Sequence, residues 1–190
     1  MTGVAIMEGI DSAAVSRPTT TEGVWTEWET PLGRMRAAAA DDGVVFCDFC
    51  DSPKFEIHWN RLLRCLSSVR WHKGEHPFLT QISTEMSAYL TGTRRQFDVP
   101  LAPPGTPFQQ EVWHLLLKIP YGETCSYAAL AKRMGHARAV RAVAGANAWN
   151  PVLVAIPCHR VVAADGTLGG YSAGLERKAQ LLALERKFML

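Results

Sequence analysis

Hydrophobic and polar positions follow two rhythms along this chain, and the change comes near residue 100. From residue 24 to 50 the run VWTEWETPLGRMRAAAADDGVVFCDFC alternates roughly apolar and polar, with Pro31-Leu32-Gly33 and Asp41-Asp42-Gly43 as turn signals. That pattern predicts a small antiparallel sheet. Over residues 78–91, FLTQISTEMSAYLT places Phe78, Ile82, Met86 and Tyr89 at helical spacing, and Gly92 ends the helix. Residues 23–100 thus read as an α+β domain, followed by the connector LAPPG. Ahead of it, residues 1–22 read as a flexible leader. They lack a basic opening and a continuous apolar core, and they carry Glu8 and Asp11, so a secretion signal is not indicated.

Residues 101–190 read as a second, mostly helical domain. Thr106-Pro107-Phe108-Gln109 combines an N-cap hydroxyl, proline at the first helical position and a glutamine able to close a capping box. Phe108, Val112, Leu115, Leu116 and Ile119 make one apolar stripe, ended by Pro120-Tyr121-Gly122. Ser126 can cap a short helix, YAALAKRM, that stops at Gly135, and a further helix, roughly RAVRAVAGANAW, follows. Two helices joined by a short glycine-containing turn outline a helix-turn-helix. After Asn150-Pro151, the run VLVAIP suits a buried strand closed by Pro157. Asp165-Gly166 reads as a hairpin turn, Gly169 to Gly174 as a loop whose backbone can approach a ligand closely, and LERKAQLLALERKFML as an amphipathic terminal helix.

Composition changes this picture only in places. No apolar run approaches the ~20 residues of a membrane helix. Five cysteines, without an export signal, point to free thiols in a reducing compartment, cytoplasmic nucleoid or nucleus. Charge is more informative. Residues 1–100 hold ten Lys and Arg against thirteen Asp and Glu, whereas residues 101–190 hold ten against five. No acid lies between Thr124 and Ala164, a stretch that carries Lys132, Arg133, Arg138, Arg141 and Arg160. Such a run suits a surface that approaches a polyanion, or a buried apolar segment. The alanine- and glycine-rich helix over 138–149 is slim enough for a narrow groove or for tight packing against another helix. Its arginines favour the groove.

The candidate chemistry lies in Ile156-Pro157-Cys158-His159-Arg160-Val161-Val162. Proline restricts its own φ and the residue before it, so Cys158 is aimed by covalent geometry. A free thiol near pKa 8.5 is only a few per cent thiolate at neutral pH, so a nucleophilic cysteine needs a base or a positive field. His159 is the obvious base. Neighbours on an extended strand point to opposite faces, so direct contact needs a turn here and otherwise a water relays the proton. Glu176 and Glu185 both suit the orienting acid on spacing. A Cys-His hydrolase shares the nucleophile but lacks an evident oxyanion hole. A DNA-binding regulator without catalysis shares the helices but has no need of PCHR, and a binding protein without chemistry has no need of Cys158.

IPCHRVV, preceded by RAVRAVAGANAWNP and PFQQEVWHLLLKIPYGETCSYAALA and followed by GYSAGLERK, resembles the O6-alkylguanine-DNA alkyltransferases. The likeness is dense from about Thr106 to Glu185 and thins upstream to TPLG and FDVPL. It implies an amino-terminal α+β domain and direct-reversal repair of O6-alkylguanine, and of O4-alkylthymine, in which the alkyl group passes once and irreversibly to Cys158. His159 would be the base acting through water, Glu185 the acid that orients it, Asn150 a buttress, and Tyr127 a phosphate contact and proton donor. Pro157, Tyr171 and Ser172 would line the base pocket. Arg141 would fill the space left by the everted base, with Ala128, His136 and Ala164 along the backbone in the minor groove. The implied protein is a monomer with duplex DNA as partner and no cofactor, since neither a phosphate loop nor a cofactor motif is present. Ala173 stands where many relatives carry glycine. Cys47-x-x-Cys50 lacks a second pair for zinc and reads as structural.

Overall fold

The computed structural model describes residues 21–189. Residues 1–20 of the expected leader lie outside them, and Glu22 already belongs to the first strand. Strands β1 (Glu22–Trp28), β2 (Met35–Ala40) and β3 (Gly43–Phe49) form the expected antiparallel meander. Helix α1 (Phe55–Cys65) then leads to β4 (Arg70–Lys73), which returns parallel to β1 and makes a mixed sheet of order β3-β2-β1-β4. The sheet is therefore not purely antiparallel.

Nor does burial alternate along its central strands. Ala37, Ala38 and Ala39 are all fully buried, as is nearly all of β3. The cause is α1, whose Phe55 and Leu62 cover one face with Ala38, Val45 and Phe46, while α2 (Pro77–Leu90) packs on the other. A strand covered on both faces loses the in-and-out pattern, and short alanines let both layers come close.

The second half begins with α3 (Pro107–Leu116), whose capping box is formed as its sequence predicts: Thr106 Oγ1 accepts from Gln109 N at 3.3 Å, and Gln109 Oε1 accepts from Thr106 N at 3.1 Å. Strand β5 (Cys125–Ser126) precedes α4 (Tyr127–Arg133), and Ser126 Oγ caps it by accepting from Ala129 N at 3.1 Å. Helix α5 (Val140–Ala148) packs on both α3 and α4. The final helix, α6, spans Leu175–Lys187.

The expected buried strand VLVAIP is absent as a regular strand. Val152 and Leu153 make isolated bridges to Cys47 and Ile156, and the chain kinks at Val154, whose φ is +71°. A β-branched residue in the left-handed region is strained, and it persists here because neighbours on both sides are pinned. Asp165-Gly166 does form a tight turn, closed by Ala163 N to Thr167 O at 2.9 Å, but it joins no two strands of a hairpin. Strand β6 (Val161–Val162) instead pairs parallel with β5, setting Cys125 beside Val161 and Ser126 beside Val162. One hydrophobic core runs through both halves, from Met35 and Phe49 to Leu130, Val143 and Leu181.

Candidate active site

The kink at Val154 and the proline at 157 turn the chain so that Cys158 opens a 3₁₀ turn, Cys158–Arg160, rather than ending a strand. That is the turn a Cys-His pair needs to leave opposite faces. Cys158 is 1% exposed and lines a cavity of about 330 Å³. Lys54, Tyr127, Asn147, Gly170, Tyr171 and Ser172 line the same cavity. Its volume lies at the lower end of small-molecule sites.

Asn150, at the end of α5, holds the thiol. Its Nδ2 donates to Cys158 Sγ at 3.0 Å and to Ile156 O at 2.8 Å, while its Oδ1 accepts from Val152 N at 3.0 Å. One buried amide thus ties the helix end to both arms of the kinked segment. Burial pushes the Cys158 thiol up to about 12, against the opposing pull of the Asn150 hydrogen bond. At rest the sulfur carries its proton and awaits a base.

His159 and Glu185 are fully buried, with Nε2 and Oε1 2.5 Å apart. Of the two acids open on spacing, Glu185 is the one in contact; Glu176 is exposed in the first turn of α6. Glu185 also accepts from Tyr89 Oη, from Arg160 Nε at 3.0 Å and from Gly122 N at 2.8 Å. Burial raises its pKa, but the hydrogen bond from His159, with the charge of Arg160 behind it, outweighs that and holds it at about 2. Burial lowers the imidazole pKa against the pull of the same carboxylate. With Nε2 facing the carboxylate, the proton sits on Nε2 and Nδ1 is left as an acceptor. His159 Nδ1 is buried and has no protein partner. No hydrogen bond joins it to Cys158 among the described residues.

Tyr127 opens α4 beside β6, where the β5–β6 pairing brings it to the cavity wall. Burial, with the neighbouring Cys158, raises its phenol pKa and keeps it a proton donor. Ser172 and Tyr171 line the cavity, the Tyr171 ring 6.4 Å from that of His159, whereas Pro157, though buried, is not on its lining and faces a separate hollow beside Tyr121 and Arg160. Ala128, His136, Arg141 and Ala164 are exposed and line no part of the cavity. Lys132, Arg133 and Arg138 are exposed as well, giving α4 and α5 a cationic surface. Arg160 is the exception within the acid-free run. It is 6% exposed, spent on Glu185 and on the Ile119 carbonyl at 2.6 Å, so it adds nothing to that surface.

Several groups at the site carry no signal in the sequence. By its spacing Tyr89 belongs to the apolar stripe of α2, yet its hydroxyl reaches Glu185. Lys178, fully buried on α6, donates from Nζ to the carbonyls of Val161 at 2.5 Å, Gly170 at 3.1 Å and Leu168. It staples the loop before Tyr171 to β6, and burial lowers its pKa to about 8. Arg177 reaches in the other direction: Nε donates to Leu32 O at 2.8 Å and Nη2 to both Asp51 oxygens at 2.7 Å. Gly33, at φ +117°, leaves room for that guanidinium, since a Cβ there would lie 2.8 Å from Nη2. Asn147 is 4% exposed and its Oδ1 has no partner.

The chain is similar to known proteins over most of its length. Residues 107–187 match the family described as 6-O-methylguanine DNA methyltransferase, DNA binding domain, and residues 24–103 match its ribonuclease-like domain. The methylated-DNA–protein-cysteine methyltransferase of Methanosarcina acetivorans is 40% identical over 159 residues, 83% of this chain and 95% of that protein. The constitutive enzyme of Bacillus subtilis is 39% identical over 163 residues, 85% of this chain and 94% of its own. Among solved structures, Mycobacterium tuberculosis OGT in complex with DNA superposes with a TM-score of 0.74 at 32% identity, covering 87% of this chain and 94% of that one. The O6-methylguanine-DNA methyltransferase of Pyrococcus kodakaraensis gives 0.65 at 25% identity, over 86% and 98% of the two chains.

Proposed function

This chain belongs to the methylated-DNA–protein-cysteine methyltransferase family, and from that premise we propose that it repairs DNA by a single, irreversible transfer of the alkyl group from O6-alkylguanine, and from O4-alkylthymine, to Cys158. The observation that carries this reading is one buried thiol on the wall of a cavity of about 330 Å³, with an amide donor at 3.0 Å and a buried imidazole–carboxylate pair behind it.

The chemistry balances without a cofactor. The sulfur attacks the alkyl carbon, so an S–C bond forms as the C–O6 bond breaks. The thiol proton passes through a water to His159 Nδ1, Glu185 steadies the imidazolium, and the Asn150 amide steadies the sulfur as it gains charge. Tyr127 donates the proton that the departing base takes up and is reprotonated from solvent. A thioether has no route to hydrolysis, which makes the protein stoichiometric.

A guanine inside a duplex cannot reach a sulfur that is 1% exposed, so the base must leave the stack, at a cost of a few kcal/mol. The α4–α5 pair acts as a helix-turn-helix whose small side chains let α5 lie in the minor groove. Arg141 takes the vacated place in the stack, and Ala128, His136 and Ala164 run along the backbone. The protein works as a monomer inside the cell.

Incubation with O6-benzylguanine followed by mass measurement tests the reading. One benzyl group per chain is expected, mapped to Cys158 and missing from Cys158→Ala. Repeated turnover of the reagent, or a label elsewhere, overturns it.

A further inference from the structure

Lys54 is the one charged side chain on the lining of the Cys158 cavity among the described residues, and it comes from the amino-terminal half. The other lining residues belong to the second half, between Tyr127 and Ser172. Lys54 stands at the N-cap of α1, an exposed position at which its side chain makes no capping bond. Among the described residues its ammonium forms no ion pair. A second observation marks the cavity as built for a polar occupant. Asn147 Oδ1, on the wall formed by α5, is buried without a hydrogen-bond partner, an arrangement that is costly unless a ligand supplies the donor.

An alkylated guanine is itself uncharged, so nothing on the base calls for a cation. The nucleotide that carries it is different, because a phosphodiester joins it on either side and these groups stay at the mouth when the base enters. A long, flexible ammonium is suited to meeting such a point of charge. Resting on the reading of Cys158 given above, we infer that Lys54 contacts a backbone phosphate flanking the everted nucleotide, so that the amino-terminal half takes part in recognising DNA over free base.

The test compares two substrates in the full chain: a short duplex containing one O6-methylguanine, and free O6-benzylguanine. For Lys54→Ala, the ratio of the duplex rate constant to the free-base rate constant should fall about five- to tenfold at low salt, and further for Lys54→Glu, with Lys54→Arg restoring most of it. The slope of log affinity for the duplex against log salt should shrink by about one, the signature of one lost phosphate contact. An unchanged ratio and slope overturn the inference. So does an equal loss on both substrates, which makes Lys54 a wall of the base pocket instead. Failure of the unsubstituted chain to take up any benzyl group refutes the reading of Cys158 itself, and is distinguishable from either.

Discussion

Reactivity at the scale of single residues is set by burial working against partners. The Cys158 thiol is pushed up to about 12, whereas an exposed cysteine is activated by having its pKa lowered. On the function proposed for it, alkyl transfer therefore depends on proton removal during the chemical step. The imidazole of His159 has its pKa lowered by burial, so it is neutral, and able to accept, from the weakly acidic range upward. The sign of the pH dependence follows. Benzyl transfer should hold a plateau from about pH 7 to 9 and fall only as acid protonates His159 below its ordinary 6.5. A tenfold rise between pH 7.5 and 9 would mean that Cys158 titrates as a free thiolate. His159 could be named from sequence because it adjoins Cys158, but Tyr89 could not. It lies 96 positions from Glu185, and only folding brings its hydroxyl to that carboxylate.

At the scale of elements, short pieces of backbone are aimed by side chains that end on carbonyls. Lys178 is the clearest case, with three carbonyl partners and no carboxylate. Lys178→Met keeps the apolar stem and removes the donors, leaving the buried Val161 carbonyl and the part-buried Leu168 and Gly170 carbonyls without them. It should cost about 3 kcal/mol in urea unfolding and slow benzyl transfer, with faster amide exchange from Leu168 to Gly170. Wild-type stability in that variant would show that the loop is held by something else. Helices with strong local signals, such as α3 with its capping box and α4 with its Ser126 cap, were legible beforehand. Helix α1 was not. Its buried stripe is Phe55, His58 and Leu62, and a histidine at a core position hides the spacing that three aliphatic residues would reveal. The segment before Cys158 misled for the opposite reason. Six apolar residues satisfy a strand pattern, while the left-handed Val154 is paid for by contacts distant in sequence.

Across the whole molecule the two family-matched segments share one core and are tied at several points. Cys47 N donates to Pro151 O at 2.8 Å, and Leu153 N to Cys47 O at 2.7 Å. Arg61 stacks on Trp149 at 4.5 Å and donates to Gln109 Oε1 at 2.8 Å, while Arg177 bridges α6 to the turn between β1 and β2. A core continuous across the division should unfold as one unit, so calorimetry should record a single transition with matching calorimetric and van't Hoff enthalpies. Two resolved transitions would show that the halves melt independently. The φ of +117° explains why TPLG carries a glycine at residue 33, and a side chain there would also displace the Arg177 guanidinium.

Local chemistry written in neighbouring residues was enough to settle the α+β class, the caps of α3 and α4 and the cationic stretch over α4 and α5, and to single out Cys158 and His159 as the candidate nucleophile and base. Each of these depends on spacings of a few positions, which the covalent chain carries with it. The choice of Glu185 over Glu176, the removal of Arg160 from the surface, the carbonyl staple of Lys178 and the place of Lys54 on the cavity wall depend on groups far apart in sequence. Their positions are fixed by burial and by the pairing of distant polar atoms, and those exist once the chain has closed on itself.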